Sequence, residues 1–204
     1  MKIGILGSGM VGQSIASGFS KEEVIIGTRD KQKLADFAAK TGVKVGSFED
    51  AAKFGDILFL CTKWTGTKEA IKMAGHNFSG KIVVDVTNPL AFEGQTPKLD
   101  IGYPDSAGAQ IQKLLPDSKV VKAFNTVTAS YMTKAAEGSP DLFICGNDEH
   151  SKKKVSEMAS KWGWNVIDMG GIEQAYLLEA LAMLWIRYGF MNNHWTHAWK
   201  LLNK

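Results

Sequence analysis

The sequence is poor in the residues that build crosslinked or metal-centred folds: two cysteines and four histidines in 204 residues. Two cysteines cannot form a disulfide framework. Cys61 and Cys145 each sit in an apolar run, LFLCT and LFICG, which reads as a buried strand thiol in reducing surroundings. His194 and His197, three apart on an expected helix in NNHWTHAW, have no third ligand at metal spacing, so no metal site is expected. Long apolar runs are missing too. The longest helical one, LLEALAMLWI (177–186), is about half of a bilayer span and carries Glu179. Met1 leads into KIGILG, a strand rather than the basic head of a signal peptide, so a soluble cytoplasmic protein without a membrane segment is expected. The charge excess is only +3, with scattered lysines, which excludes a nucleic-acid binder. No internal repeat or low-complexity segment is present.

What remains is ordinary globular material, 45% hydrophobic and 22% charged. Short apolar runs (KIGIL, VIIG, DILFLC, KIVVDV, KVVKAF, DLFIC, NVIDMG) alternate with amphipathic helical stretches. Runs apolar at consecutive positions suit strands covered on both faces. The alternation predicts an α/β fold of Rossmann type, a doubly wound and mostly parallel sheet. Residues 1–170 would form the nucleotide-binding domain. Residues 171–204, rich in Trp, Met and Leu, would add a short helical C-terminal extension to the same compact unit. One stretch, AFEGQTPKLDIGYPDSAG (91–108), breaks the alternation and reads as an irregular, functional or mobile excursion.

Gly7, Gly9 and Gly12 in KIGILGSGMVGQSIASGF match G-x-G-x-x-G between a strand and an amphipathic helix. The first glycine permits the turn, the second lets backbone approach a pyrophosphate, and the third lets the helix pack closely. The helix N-terminus then faces the phosphates. About 20 residues further on, an NAD-binding chain carries an acid for the ribose hydroxyls. Here that position is Arg29, preceded by Thr28. A guanidinium attracts a 2′-phosphate that an acid would repel, and Lys33 lies about one helical turn on if a helix starts near Asp30. The reading is NADP. Asp30 as a ribose ligand, or Thr28 or Asp30 as a simple helix cap, is the competing reading.

The series GILGSGMVG, IGTRD, LCTKW, VDVTNP, VVKAFNTV and LFICGND resembles the coenzyme F-420-dependent NADP oxidoreductases and the related dinucleotide domain of the STEAP metalloreductases, from Met1 to about Tyr188. The resemblance implies that Gly7, Ser8, Gly9, Met10, Val11 and Gly12 hold the pyrophosphate. Thr28, Arg29 and Lys33 would hold the 2′-phosphate, and Cys61, Thr62 and Lys63 the ribose and nicotinamide side. Asn88, Pro89, Ala123, Asn125 and Thr126 would border the nicotinamide. The chain departs from the archaeal members at Thr62-Lys63-Trp64, where they have a proline-containing loop, and at Phe124-Asn125-Thr126, where they have a histidine. The second departure brings it nearer the STEAP type.

Hydride transfer between two bound rings requires distance and stacking but no general acid or base, and no triad or carboxylate pair stands out. Lys63 and Lys122 are the candidate proton donors, Lys63 the better placed. The expected function is NADP(H)-dependent hydride transfer to a ring-type acceptor, F-420 or a flavin. The alternatives are reduction of a small carbonyl or imine, or a non-enzymatic NADPH-binding sensor. The aromatic C-terminal residues suggest a homo-oligomer formed through those helices.

Overall fold

The computed structural model describes residues 1–19, 22–94 and 96–203. In chain order the elements are β1 (Lys2–Leu6), α1 (Met10–Ser17), β2 (Glu23–Gly27), α2 (Ala35–Thr41), β3 (Lys44–Gly46), α3 (Phe48–Phe54), β4 (Ile57–Leu60), α4 (Trp64–Ala74) and β5 (Ile82–Asp85). There follow β6 (Leu90–Glu93), β7 (Thr96–Leu99), α5 (Ala107–Leu114), β8 (Lys119–Lys122), β9 (Asp141–Gly146), α6 (Glu149–Lys161), β10 (Asn165–Asp168) and α7 (Ala175–Asn192).

The main sheet has the order β10-β9-β8-β5-β4-β1-β2-β3. Every neighbouring pair is parallel except β8 and β9. The chain winds outward from β1 through β2 to β3, then returns to start β4 on the other side of β1. This reversal opens a crevice at the carboxyl ends of β1 and β4, the switch point where such sheets take ligands.

The apolar strand runs have a simple cause. Alternate residues feed two cores: Ile3, Ile5, Phe59, Val84, Val121 and Ile144 lie in one, and Leu6, Leu58, Leu60, Val83, Val120 and Cys145 in the other. The first core is closed by Ile15 of α1 and Val155 of α6. The second is closed by Phe48 of α3, Ile71 of α4, Ile111 of α5 and Leu178 of α7. With both faces covered, a strand has no polar side to show.

Three expectations need correction. The excursion after β5 is ordered: β6 and β7 form an antiparallel hairpin, Leu90 opposite Leu99 and Phe92 opposite Pro97. It packs under α7 and is pinned to the start of α4 by Trp64 Nε1, which donates to Asp100 Oδ2 at 3.0 Å. β3 escaped notice because three residues are too short for a period to show. The C-terminal histidines are not on a helix. α7 ends at Asn192, Asn193 turns left-handed with φ 46°, and the tail folds back. The His197 ring stacks on Trp185 at 4.4 Å, and Leu201 N–H donates to Asp141 Oδ2 at 2.5 Å.

Candidate active site

The glycine loop leaves β1 in a conformation that only glycine tolerates. Gly7 has φ +128°, and a Cβ there would lie 2.5 Å from the Cys61 carbonyl oxygen. A Cβ on Gly12 would lie 2.0 Å from the Gly7 carbonyl oxygen, so its absence lets α1 settle onto the strand. Gly9 differs: nothing lies within 4 Å of its Cβ position. Its lack of a side chain serves no protein neighbour and leaves open the space a pyrophosphate needs. Gly9 is the N-cap of α1 and offers no side-chain cap, so the first-turn N–H groups lack intrahelical acceptors and face outward as an anion cradle. The loop is braced by Gln13 Nε2, which donates to the Ser8 carbonyl at 2.9 Å.

The tip of β2 is tied to this loop. Thr28 Oγ1 donates to Ser8 Oγ at 2.9 Å, and the Asp30 N–H donates back to Thr28 Oγ1 at 3.2 Å. Between the two segments and α4 lies a cavity of about 480 Å³. It gathers Gly7, Ser8, Gly9, Thr28, Arg29, Lys33, Cys61, Thr62 and Lys63 around one space. Lys33 arrives there on a 3-10 turn, Gln32–Leu34, rather than on an α-helix starting near Asp30. The N-cap of that turn is Lys31 rather than Asp30; Asp30 braces it from one residue earlier, its Oδ1 accepting the Gln32 N–H at 3.1 Å, and its other oxygen lies 3.8 Å from Lys33 Nζ. Asp30 thus shapes the turn, and Arg29 is left exposed at the cavity.

Met10, Val11 and Gly12 do not line the cavity. Met10 is 82% exposed, Val11 packs on the core, and any role of theirs in binding falls to backbone N–H groups. Asp30 also lines the cavity, and sequence reasoning missed Phe48 at the start of α3 and one face of α4 with Thr65, Gly66, Glu69 and Met73. The signal for that face was the three-to-four spacing from Thr62 onward, but a threonine, a glutamate and a methionine there look like any solvated helix face.

Asn88, Pro89, Ala123, Asn125 and Thr126 lie on the other side of the crevice, at the ends of β5 and β8, and do not touch this cavity. They form a clamp. Asn88 Nδ2 donates to the Asn125 carbonyl at 2.8 Å. Asn125 Nδ2 donates to Asn88 Oδ1 at 3.0 Å and to the Leu178 carbonyl of α7 at 2.9 Å. Asn125 Oδ1 and Thr126 Oγ1 are buried without a partner among the described residues. Between strand and clamp, Phe124 holds φ +60°, a left-handed conformation that costs a non-glycine residue roughly 1 kcal/mol or more.

Beneath the clamp lies a fully buried ion cluster. Lys122 Nζ contacts Asp85 Oδ2 at 2.9 Å, Glu179 Oε1 at 3.0 Å and the Thr87 carbonyl at 2.6 Å. Burial pulls this ammonium toward neutrality, but the carboxylates of Asp85 and Glu179 outweigh it and hold its pKa above the ordinary lysine value. All three N–H donors of the ammonium are thus occupied, which removes Lys122 as a proton donor. Lys63, exposed at the N-cap of α4 and lining the cavity, keeps a free end. Burial also pushes the Cys61 thiol up. Among the described residues no three His, Cys, Asp or Glu side chains gather as a metal site.

A glycine loop beside a polar strand tip is shared by many dinucleotide folds, so the comparisons with known proteins decide between them. The family model "NADP oxidoreductase coenzyme F420-dependent" matches residues 2–89. The F420-dependent NADP reductase of Methanocaldococcus jannaschii is 34% identical over 203 residues, covering 91% of each chain. The chain belongs to the F420-dependent NADP oxidoreductase family. A crystal structure of a putative F420-dependent NADP reductase from Arthrobacter sp. FB24 superposes over 100% of both chains with a TM-score of 0.93 at 36% identity. Metalloreductase STEAP3 of Rattus norvegicus is 31% identical over 89% of this chain, which spans only 36% of that protein.

Proposed function

We propose that this family member transfers hydride between NADP(H) and a deazaflavin of the F-420 type. The observation that carries the NADP half is the cavity itself: the glycine cradle and the Thr28-Arg29-Lys33 tip open onto one space. With the pyrophosphate at Gly7–Gly12 and the adenosine ribose at Arg29, the nicotinamide has one way to extend. It passes Cys61, Thr62 and Lys63 toward the ends of β5 and β8, where Asn88, Pro89, Ala123, Asn125 and Thr126 would border it. NADPH, when bound, supplies the hydride at its nicotinamide ring. The residues of this chain bind the phosphates, fix the dinucleotide across the sheet and keep the crevice floor rigid. The acceptor assignment rests on the likeness to the archaeal reductase across nine-tenths of both chains.

On this reading residues 171–204 belong to the working unit and are not a separate domain, because α7 bonds directly to the floor of the crevice. The outer side of α7 exposes Leu177, Leu184, Tyr188 and Met191 at helical spacing. We infer that two copies pair along this stripe as an isologous dimer, which light scattering on a sizing column would show as twice 22.3 kDa. Both cysteines are free, in keeping with a cytoplasmic setting. No helix among the described residues is long and apolar enough to cross a membrane.

The test is direct. The protein is incubated with NADPH and, separately, F-420, FMN and FAD, and acceptor absorbance is followed. Turnover with F-420 is expected, with NADPH strongly preferred over NADH. Loss of NADPH with none of the three acceptors would overturn the assignment.

A further inference from the structure

The buried cluster joins α7 to the ends of β5 and β8 and to the start of α5. Glu179 sits on α7, outside the nucleotide-binding strands, and is itself fully buried. Its Oε2 accepts the Ala107 N–H and its Oε1 the Gly108 N–H, each at 3.0 Å. Those are the first two N–H groups of α5, and the third, Ala109, donates to Ser106 Oγ. One carboxylate thus closes the end of α5 while its Oε1 also holds Lys122 at 3.0 Å. The close approach depends on Gly108, where a Cβ would meet the Ala175 methyl at 2.7 Å.

From Lys122 the chain of contacts continues into the turn after β5. Lys122 binds Asp85 Oδ2 and the Thr87 carbonyl. Asp85 Oδ1 takes both the N–H and the hydroxyl of Thr87, at 2.9 and 2.7 Å. The next residue is Asn88, locked to Asn125, which donates to the carbonyl of Leu178, the neighbour of Glu179 on α7. The network closes on itself. Two adjacent α7 residues grip the turns that follow β5 and β8, one of them against the strained backbone of Phe124.

We propose that Glu179 is a positioning residue for hydride transfer: through Lys122 and Asp85 it fixes the two turns that border the nicotinamide. The inference rests on the hydride-transfer reading above. Glu179 lies under the nicotinamide end, whereas the phosphate contacts of the glycine loop and β2 tip share no bond with it. Its loss should therefore separate cofactor affinity from chemistry. A residue that merely stabilised the fold would lower the amount of folded protein without changing turnover per folded molecule.

The experiment uses the full chain with Glu179→Gln, in which one accepting oxygen of the bridge becomes an NH2 group that donates and cannot accept. Glu179→Asp, which keeps the charge on a shorter arm, is made beside it. Expected for E179Q is an NADPH Kd within about threefold of wild type, kcat with F-420 down roughly tenfold or more, and a larger primary isotope effect with 4-deuterated NADPH. E179D should fall between the two, and it carries the measurements alone if E179Q cannot be recovered folded. A second readout needs no acceptor. At saturating NADPH the wild type should raise and blue-shift the emission of the reduced nicotinamide, and E179Q should lose most of that change. Unchanged kcat, isotope effect and emission in folded variants would overturn the proposal. So would a Kd that rises in step with the loss of kcat/KM. If wild type fails with F-420, the acceptor assignment falls, and the emission comparison alone decides for or against Glu179.

Discussion

Arg29→Ala separates the two nicotinamide coenzymes. The guanidinium stands exposed at the rim of the cavity beside Thr28. A hydrogen bond to a charged group contributes about 1.5–3 kcal/mol, and exposure places this one near the lower end. A loss of about 1.5–2 kcal/mol corresponds to roughly 10- to 30-fold in Kd. Lys33 adds little, because its side chain is 75% exposed and already faces Asp30. Lys33→Ala should cost about twofold. NADH lacks the 2′-phosphate, so its Kd should change less than about twofold in either variant. Fluorescence titration of both coenzymes against wild type and R29A reads the difference. Raising salt from 0.1 to 1 M cuts the screening length from about 10 to about 3 Å and should compress the wild-type preference but not that of R29A. Asp30→Asn supplies the opposite sign: removing a like charge beside the phosphate should improve NADPH binding by about two- to threefold. Equal losses for NADPH and NADH in R29A, or weaker NADPH binding in D30N than in R29A, would show that this tip reads ribose hydroxyls instead.

Four further outcomes are expected. Gly9→Ala should fold with a melting temperature within about 2 °C of wild type, since its methyl enters open space, yet bind NADPH at least about tenfold more weakly. Gly12→Ala should lose about 1–3 kcal/mol or more to overpacking against the Gly7 carbonyl, seen as a fall of several degrees. Burial pushes the Cys145 thiol up to about 12 and the Cys61 thiol upward as well. The Cys145 thiolate, fully buried, is therefore not populated at pH 8, and a thiol reagent should titrate Cys145 only after denaturant is added. Trp64→Phe removes the bond to Asp100 at a cost of about 0.5–1 kcal/mol. It should speed amide exchange in Thr96–Leu99 while leaving β1 unchanged.

Where a functional group sits in sequence decided whether it could be read there. The glycine loop and Arg29 belong to one β1-α1-β2 unit, so short-range spacing carries their geometry, and they line one cavity. The sheet was legible for a similar reason: each strand is a local apolar run, and right-handed crossovers leave few arrangements. The hairpin was not legible, because Pro97 and Gly94 suggest a loop and its pairing is held partly by α7. Phe48 and the face of α4 were hidden because their residue types suit a core or a solvated surface equally well.

The ion cluster was the hardest part to see, and the reason is physical. Asp85, Lys122 and Glu179 lie 37 and 57 positions apart in successive steps, each inside an apolar run. A single charge in such a run looks like a strand end or a solvated helix edge. Its burial is tolerable only because opposite charges and a helix N-terminus converge on it from three other segments, which no local pattern encodes. Breaking such a cluster leaves an uncompensated buried charge, so it resists gradual change. Through it and the Asn88–Asn125 clamp, the two turns that border the crevice are bonded to α7. That bracing suits a reaction in which protein side chains have little chemistry to perform, because rate then depends on how well two rings are held in register.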